Sequence, residues 1–256
     1  MAAYNDMDKG VAGLIVGMYP KTDTGIVQES MTAGTPVFGY ANSDNKVWKL
    51  KADVSKLVLS ADLSASNSTV ITVNSVASGA VVYATSHAAT VAAVVNAIKA
   101  IPVSASNPYG VEAVLDTTDA TSRTILIRTK GATITASGAV TGGSGVTVTP
   151  TNGLFGQVFK GVVSKHDAVP TTTGGSASFV QYDAVSLAYD TDIWAQAGAG
   201  VDSNEKAYVS VSTGLFSATI TDQDVSARCV VSRDSTGVAL IRIPTNPVAL
   251  GYADRF

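Results

Sequence analysis

Hydrophobic and polar positions alternate along most of this chain in short runs, and clusters of Gly, Asn, Asp, Ser and Pro separate the runs. That is the pattern of half-buried β-strands joined by tight turns. Gly25–Ser30, Pro36–Tyr40 and Lys46–Lys51 are the first predicted strands, with Thr32-Ala33-Gly34 and Asn42-Ser43-Asp44-Asn45 as the turns between them. From Gln157 onward the same rhythm returns, predicting strands at Gln157–Ser164, Ser178–Tyr182, Ala184–Tyr189, Asp192–Gln196, Ala207–Ser212 and Leu215–Thr219. Ala227–Ser232 and Val238–Ile243 flank Arg233-Asp234-Ser235-Thr236-Gly237 and read as a hairpin, after which Pro244 and Pro247 end the sheet.

Between these flanks the pattern changes. One stretch has the helical period: Val91, Val94, Val95 and Ile98 fall at i, i+3, i+4 and i+7, so His87–Ala100 is the predicted helix. Thr85 or Ser86 caps it and Pro102 ends it. Strands are predicted before it at Thr69–Val73 and Ala80–Ala84, and after it at Gly110–Leu115 and Thr124–Thr129, with weaker ones at Ala132–Ala136 and Val146–Thr149. Gly138–Gly145 reads as a glycine-rich loop and Asn152-Gly153 as a turn. The middle is therefore a ββαββ unit, a small sheet with one helix on a face. The expected fold is mainly β: a small β-barrel or sandwich built from both chain ends (residues 1–54 and 151–256, with an N-terminal arm at 1–24), carrying an inserted α+β domain at 55–150. Insertions of this kind enter at exposed loops, where extra length costs little.

Composition narrows the chemistry. Charged residues are 14% of the chain, with two histidines and one cysteine, too few titratable groups to furnish most catalytic sites. The 17 basic residues are scattered and outnumbered by 20 acidic ones, so nucleic acid is not an expected partner. No apolar run approaches the roughly 20 residues that span a bilayer, and Val11–Tyr19 follows Asp6 and Asp8 rather than a cationic leader, so neither a membrane nor a targeting segment is expected. Cys229 has no partner for a disulfide and reads as a small buried hydrophobe. His87 and His166 lack a second ligand at zinc spacing, and His166-Asp167 comes without a nucleophile elbow. Two Ser-x-x-Lys tetrads, Ser43–Lys46 and Ser203–Lys206, lie in polar turns. Asp116…Asp119 and Asp222-Gln223-Asp224 lack the rest of a calcium loop, and Gly142-Gly143-Ser144-Gly145 lacks the lysine of a phosphate loop. No catalytic residue, cofactor or metal is expected.

The flanks carry a resemblance. Ile26–Ser30 followed by Ala33-Gly34-Thr35-Pro36-Val37-Phe38-Gly39-Tyr40 resembles the opening of tailed-phage structural cement, or capsid decoration, proteins. Phe155-Gly156-Gln157-Val158-Phe159-Lys160-Gly161-Val162, Tyr182-Asp183-Ala184-Val185, Asp192-Ile193-Trp194-Ala195 and Glu205-Lys206-Ala207-Tyr208-Val209 continue it. Thr213-Gly214-Leu215-Phe216, Ala227-Arg228-Cys229-Val230 and Ala239-Leu240-Ile241-Arg242-Ile243 close it. The match covers roughly residues 1–52 and 152–244. The central segment departs from the family pattern and resembles Ala/Val/Thr-rich modules inserted in phage surface and tail proteins.

That resemblance implies a non-enzymatic virion protein on the outer capsid surface. It would bind the major capsid protein at local symmetry axes as a homotrimer or homodimer and tie neighbouring subunits together, with the inserted domain projecting outward. Tyr4, Met7, Met18 and Tyr19 in the N-terminal arm are the candidate partner contacts, since Tyr and Met are favoured at interfaces. Trp48 and Trp194 read as core. The alternative is a tail or adhesion component whose inserted domain binds a host surface. An enzyme such as a β-rich glycosidase or esterase would demand clustered carboxylates or a Ser/His pair.

Overall fold

The computed structural model describes residues 11–16, 21–40, 45–143, 145–153, 157–165 and 177–244. The leading segment forms β1 (Lys21–Val27), β2 (Met31–Thr32), β3 (Pro36–Tyr40) and β4 (Lys46–Val47). The middle forms β5 (Val54–Leu59), β6 (Ser68–Val73), β7 (Val76–Ala77), β8 (Val81–Val82), α1 (His87–Lys99), β9 (Glu112–Leu115), β10 (Thr124–Arg128), β11 (Ala136–Thr141) and β12 (Val148–Gly153). The remainder forms β13 (Gln157–Val163), β14 (Ser178–Phe179), β15 (Ala184–Tyr189), β16 (Asp192–Gln196), β17 (Lys206–Val209), β18 (Phe216–Ser217), β19 (Gln223–Val231) and β20 (Val238–Arg242). The chain divides into two compact units, one from residues 11–50 with 157–244, the other from 51–153.

The first unit is sandwich-like. One five-stranded sheet has the order β3-β13-β15-β1-β4, the other β16-β20-β19-β17-β18, and β14 pairs with β2. Its interior gathers Val27, Val37, Val47, Val163, Val185 and Leu187, inward positions of alternating strands. Phe38 and Phe159 meet in a tilted arrangement at 5.5 Å between ring centroids, and Tyr40 meets Trp48 edge-on at 5.2 Å. Trp48 and Trp194 are both buried. Of the barrel or sandwich expected, the unit takes the sandwich form, and the first sheet does not close into a barrel. The two ends of the first sheet meet at one bridge, where Phe38 and Trp48 exchange N–H···O bonds of 2.8 Å. With only two residues in β4, no ladder extends from that bridge.

Residues expected in an extended arm are partly woven into this unit. β1 begins at Lys21 rather than Gly25 and pairs with β15 along six residues, Lys21↔Tyr189 to Ile26↔Ala184. Residues 13–16 run beside β16: Val16 N–H donates to Asp192 O at 2.8 Å, and Trp194 N–H to Leu14 O at 3.0 Å. The approach requires glycine. Gly13 has φ +83°, and a Cβ there would lie 2.6 Å from Ala33 Cβ and 2.7 Å from Lys165 N. Gly34 faces the same crossing at φ +81°, with Gln196 N–H donating to its carbonyl at 2.9 Å.

Among the described residues the second unit has eight strands around its helix, not the four of a ββαββ motif. They form two sheets, β12-β5-β10-β9 and β11-β6-β7 with β8 on β6. α1 starts where Ser86 Oγ accepts from Ala89 N–H at 3.2 Å, and it buries Thr90, Val91, Val94, Val95 and Ile98. These pack with Leu57, Ile71, Ile125 and Ile127 from the strands and with Ile134 from the segment before β11. Three local expectations fail here. Ala132–Ala136 is not the strand; β11 runs from Ala136 to Thr141, through the predicted glycine loop. Gly138 is needed for close packing rather than turning, since a Cβ would lie 2.8 Å from both Ile71 Cδ1 and Val148 Cβ. Asn152-Gly153 continues β12 opposite Ser55 and Val54 instead of turning. β12 is an edge strand, which is why it tolerates Pro150.

Candidate functional site

Among the described residues, the candidate groups singled out in the sequence make contacts that hold the fold. His87 sits at the first residue of α1, accepts the Leu63 N–H at Nδ1 (3.0 Å), and has Nε2 3.2 Å from the Ser122 carbonyl. Both ring nitrogens are occupied, so it ties the helix start to two loops. Cys229 is buried, and burial, with the Asp202 and Glu205 carboxylates adding to it, pushes its thiol up to about 11. It stays protonated and unreactive at neutral pH. His166 and two members of the Ser43–Lys46 tetrad lie outside the described residues. In the second tetrad Lys206 pairs with Asp224 at 3.1 Å.

The acidic turns are self-satisfied. Asp116 accepts from Thr118 N–H and its hydroxyl at 3.0 and 2.7 Å. Asp119 accepts from the Thr121 hydroxyl at 2.5 Å and the Thr121 and Arg123 amides at 2.9 and 3.0 Å, which hold its carboxyl far below the usual carboxylate range. These are Asx turns. With Lys56, Ser60 and Arg123 they line an open cleft of about 500 Å³ on the second unit. Among the described residues no group of three or more His, Cys, Asp or Glu could hold a metal ion, and no helix is long and apolar enough to cross a membrane.

The remaining candidates are surfaces. Tyr4, Met7, Met18 and Tyr19 all lie outside the described residues. The described surface of the first unit exposes Leu14 and Val16 beside β16, and Ile26, Val180 and Tyr182 where β1 meets the β14–β15 turn. Tyr182 has φ +77°, a region that bulky side chains seldom occupy. Sequence reasoning assigned Ser178–Tyr182 to a strand and passed over this turn. Nothing in the composition of Val180-Gln181-Tyr182-Asp183 announces a left-handed residue, which glycine or asparagine would have done.

Comparison with known proteins adds a family. A family model described as "Structural cement protein (E217 gp24/Pam3 gp6)" matches residues 103–246, more than half of the chain. The match begins after α1, inside the second unit, and runs through β20. No curated protein matches the chain.

Proposed function

This chain belongs to the structural cement protein family, and from that premise we propose that it binds the outside of the major capsid lattice and stabilises it. Its role is structural, as a component of the phage virion. The family match over residues 103–246 carries the reading. Two features support it: the histidine and the carboxylates described above make contacts within the fold, and the first unit exposes apolar side chains on strands and turns.

The physical logic is additive. Each copy bridges neighbouring capsid subunits, and many copies act on one shell. A contact too weak to matter singly becomes effective when the lattice presents its partner repeatedly, because the second attachment is intramolecular. Assembly into a homotrimer or homodimer at local symmetry axes supplies that multiplicity. The second unit, an inserted domain in this reading, projects away from the shell. Shells purified with and without this protein test the proposal. Those carrying it should crack at a higher temperature and show hundreds of copies per particle. Equal thermal resistance removes the stabilising role, and a few copies per particle would indicate a tail component.

A further inference from the structure

The first unit contains a turn whose geometry works against its own sequence. Val180-Gln181-Tyr182-Asp183 links β14 to β15, with Asp183 N–H donating to Val180 O at 3.1 Å and Val180 N–H to an Asp183 carboxylate oxygen at 2.8 Å. Tyr182 occupies the third position at φ +77°. A turn with positive φ there ordinarily takes glycine or asparagine, because a larger side chain collides with its own backbone. The turn is nonetheless fixed in place. Tyr182 N–H donates to Val27 O at 2.6 Å, and Val27 N–H donates to Asp183 O at 3.0 Å.

Among the described residues, nothing compensates the strain through the side chain. Tyr182 is 68% exposed, Val180 is 63% exposed, and Ile26, which is opposite Ala184 on the adjoining strand, is 37% exposed. The Tyr182 hydroxyl has no partner among the described residues. Strained residues held by an over-determined backbone gather where one molecule grips another. Tyrosine is among the side chains that dominate interface energetics, because it offers large rigid area at small entropic cost.

We infer that this turn is a docking knob that seats Tyr182, flanked by Val180 and Ile26, in a concave apolar pocket on a capsid subunit; the inference rests on the capsid role proposed above. The chemistry selects a protein surface. The turn itself carries no cation, and its own charge is the Asp183 carboxylate, which disfavours a phosphate or an anionic lipid at Tyr182; the lysine nearest in register is Lys46, opposite Ile26 on β4. The shape selects a different protein rather than a second copy of this chain. Two convex turns set against each other bury a few side chains, far short of the roughly 1,000 Å² that a stable interface needs. A lattice that offers the pocket many times to many copies has no such requirement.

Tyr182→Gly is the informative variant, because glycine adopts φ +77° freely and the fold is kept or improved. Co-sedimentation with purified empty shells, compared with thermal melting of the same preparations, reads both properties. The expected result is binding weakened at least tenfold at a melting temperature equal to or above that of the unsubstituted protein. Ile220→Thr, which alters an even more exposed apolar residue elsewhere on the unit, should bind normally. If Tyr182→Gly lowers the melting temperature, Tyr182→Asn is read in its place. Equal binding of the Tyr182 variant and the unsubstituted protein overturns the knob and leaves the capsid role standing. Conversion of an oligomer to monomers by Tyr182→Gly also overturns it, by showing a second copy as the occupant. Failure of the unsubstituted protein to sediment with shells overturns the capsid role itself.

Discussion

Gly161→Ala should destabilise the first unit severely, and the reason is local. Gly161 lies in β13, between β3 and β15, where the register with β3 shifts between Phe159 and Gly161. Its φ is +127°, and a Cβ built there would be 2.6 Å from Ala188 O and 3.3 Å from Ala188 C. Those atoms belong to the paired backbone of β15, so they cannot swing aside as a side-chain tip would. Forcing a non-glycine residue into that backbone region costs about 1–3 kcal/mol, and overpacking a close-packed site adds about 1–3 kcal/mol more. A total of roughly 2–6 kcal/mol lowers the melting temperature by about 4–24 °C at the 2–4 °C per kcal/mol typical of chains of this length. Tryptophan fluorescence is the assay, because Trp48 and Trp194 both lie in the first unit and report its unfolding alone. Gly198→Ala is the control: its nearest neighbour would be Phe216 O at an ordinary 3.5 Å, and a shift under about 2 °C is expected. A Gly161→Ala protein that melts with the unsubstituted one would refute the steric argument and the bulge with it.

Ile98→Ala empties a fully buried position on α1 and should cost about 2–5 kcal/mol, seen as lost hydrogen-exchange protection across the helix; undiminished protection would contradict its place in the core. Cys229 should resist a thiol reagent at pH 8 in the native protein and react at once in denaturant, since its thiol is pushed up to about 11 by burial; rapid native labelling would show an open strand. Asp119 is held well below the usual carboxylate range by its hydrogen bonds, so the folded state favours the ionised form. Its contribution is therefore complete above about pH 4, the unfolded value, and is lost as pH falls through the depressed folded value. Asp119→Asn removes that titration, and its melting temperature should fall less steeply below pH 4 than that of the unsubstituted protein; parallel curves would remove Asp119 from the acid response.

Several elements were plain in the sequence because local physics alone specifies them. The stripe Val91, Val94, Val95, Ile98 and the cap Ser86 define α1 without reference to anything distant. Pro36–Tyr40, Ala184–Tyr189 and Asp192–Gln196 are short apolar runs between turn residues, and the observed strands share those bounds. β5 was missed because Ser55 and Lys56 interrupt its apolar residues at a change of texture, although it lies at the centre of its sheet. β11 was missed because Gly138 reads as a turn until Ile71 and Val148 are seen pressing on it. The candidate contacts Tyr4, Met7, Met18 and Tyr19 lie outside the described residues, whereas the exposed turn at Tyr182 had no sequence signature at all.

Alternation, caps and turn residues by themselves determined a β-rich chain with one helix and little catalytic material, since each acts over a few neighbouring residues. Only the tertiary structure decided that β1 pairs with β15 and β3 with β13, that the ends of the first sheet meet at a single bridge without a ladder, and that Gly13 and Gly34 meet. Those outcomes depend on which distant backbones approach within hydrogen-bonding distance. A chain whose strands are nearly interchangeable in Val, Ala, Thr and Ser leaves that choice to packing rather than to local pattern.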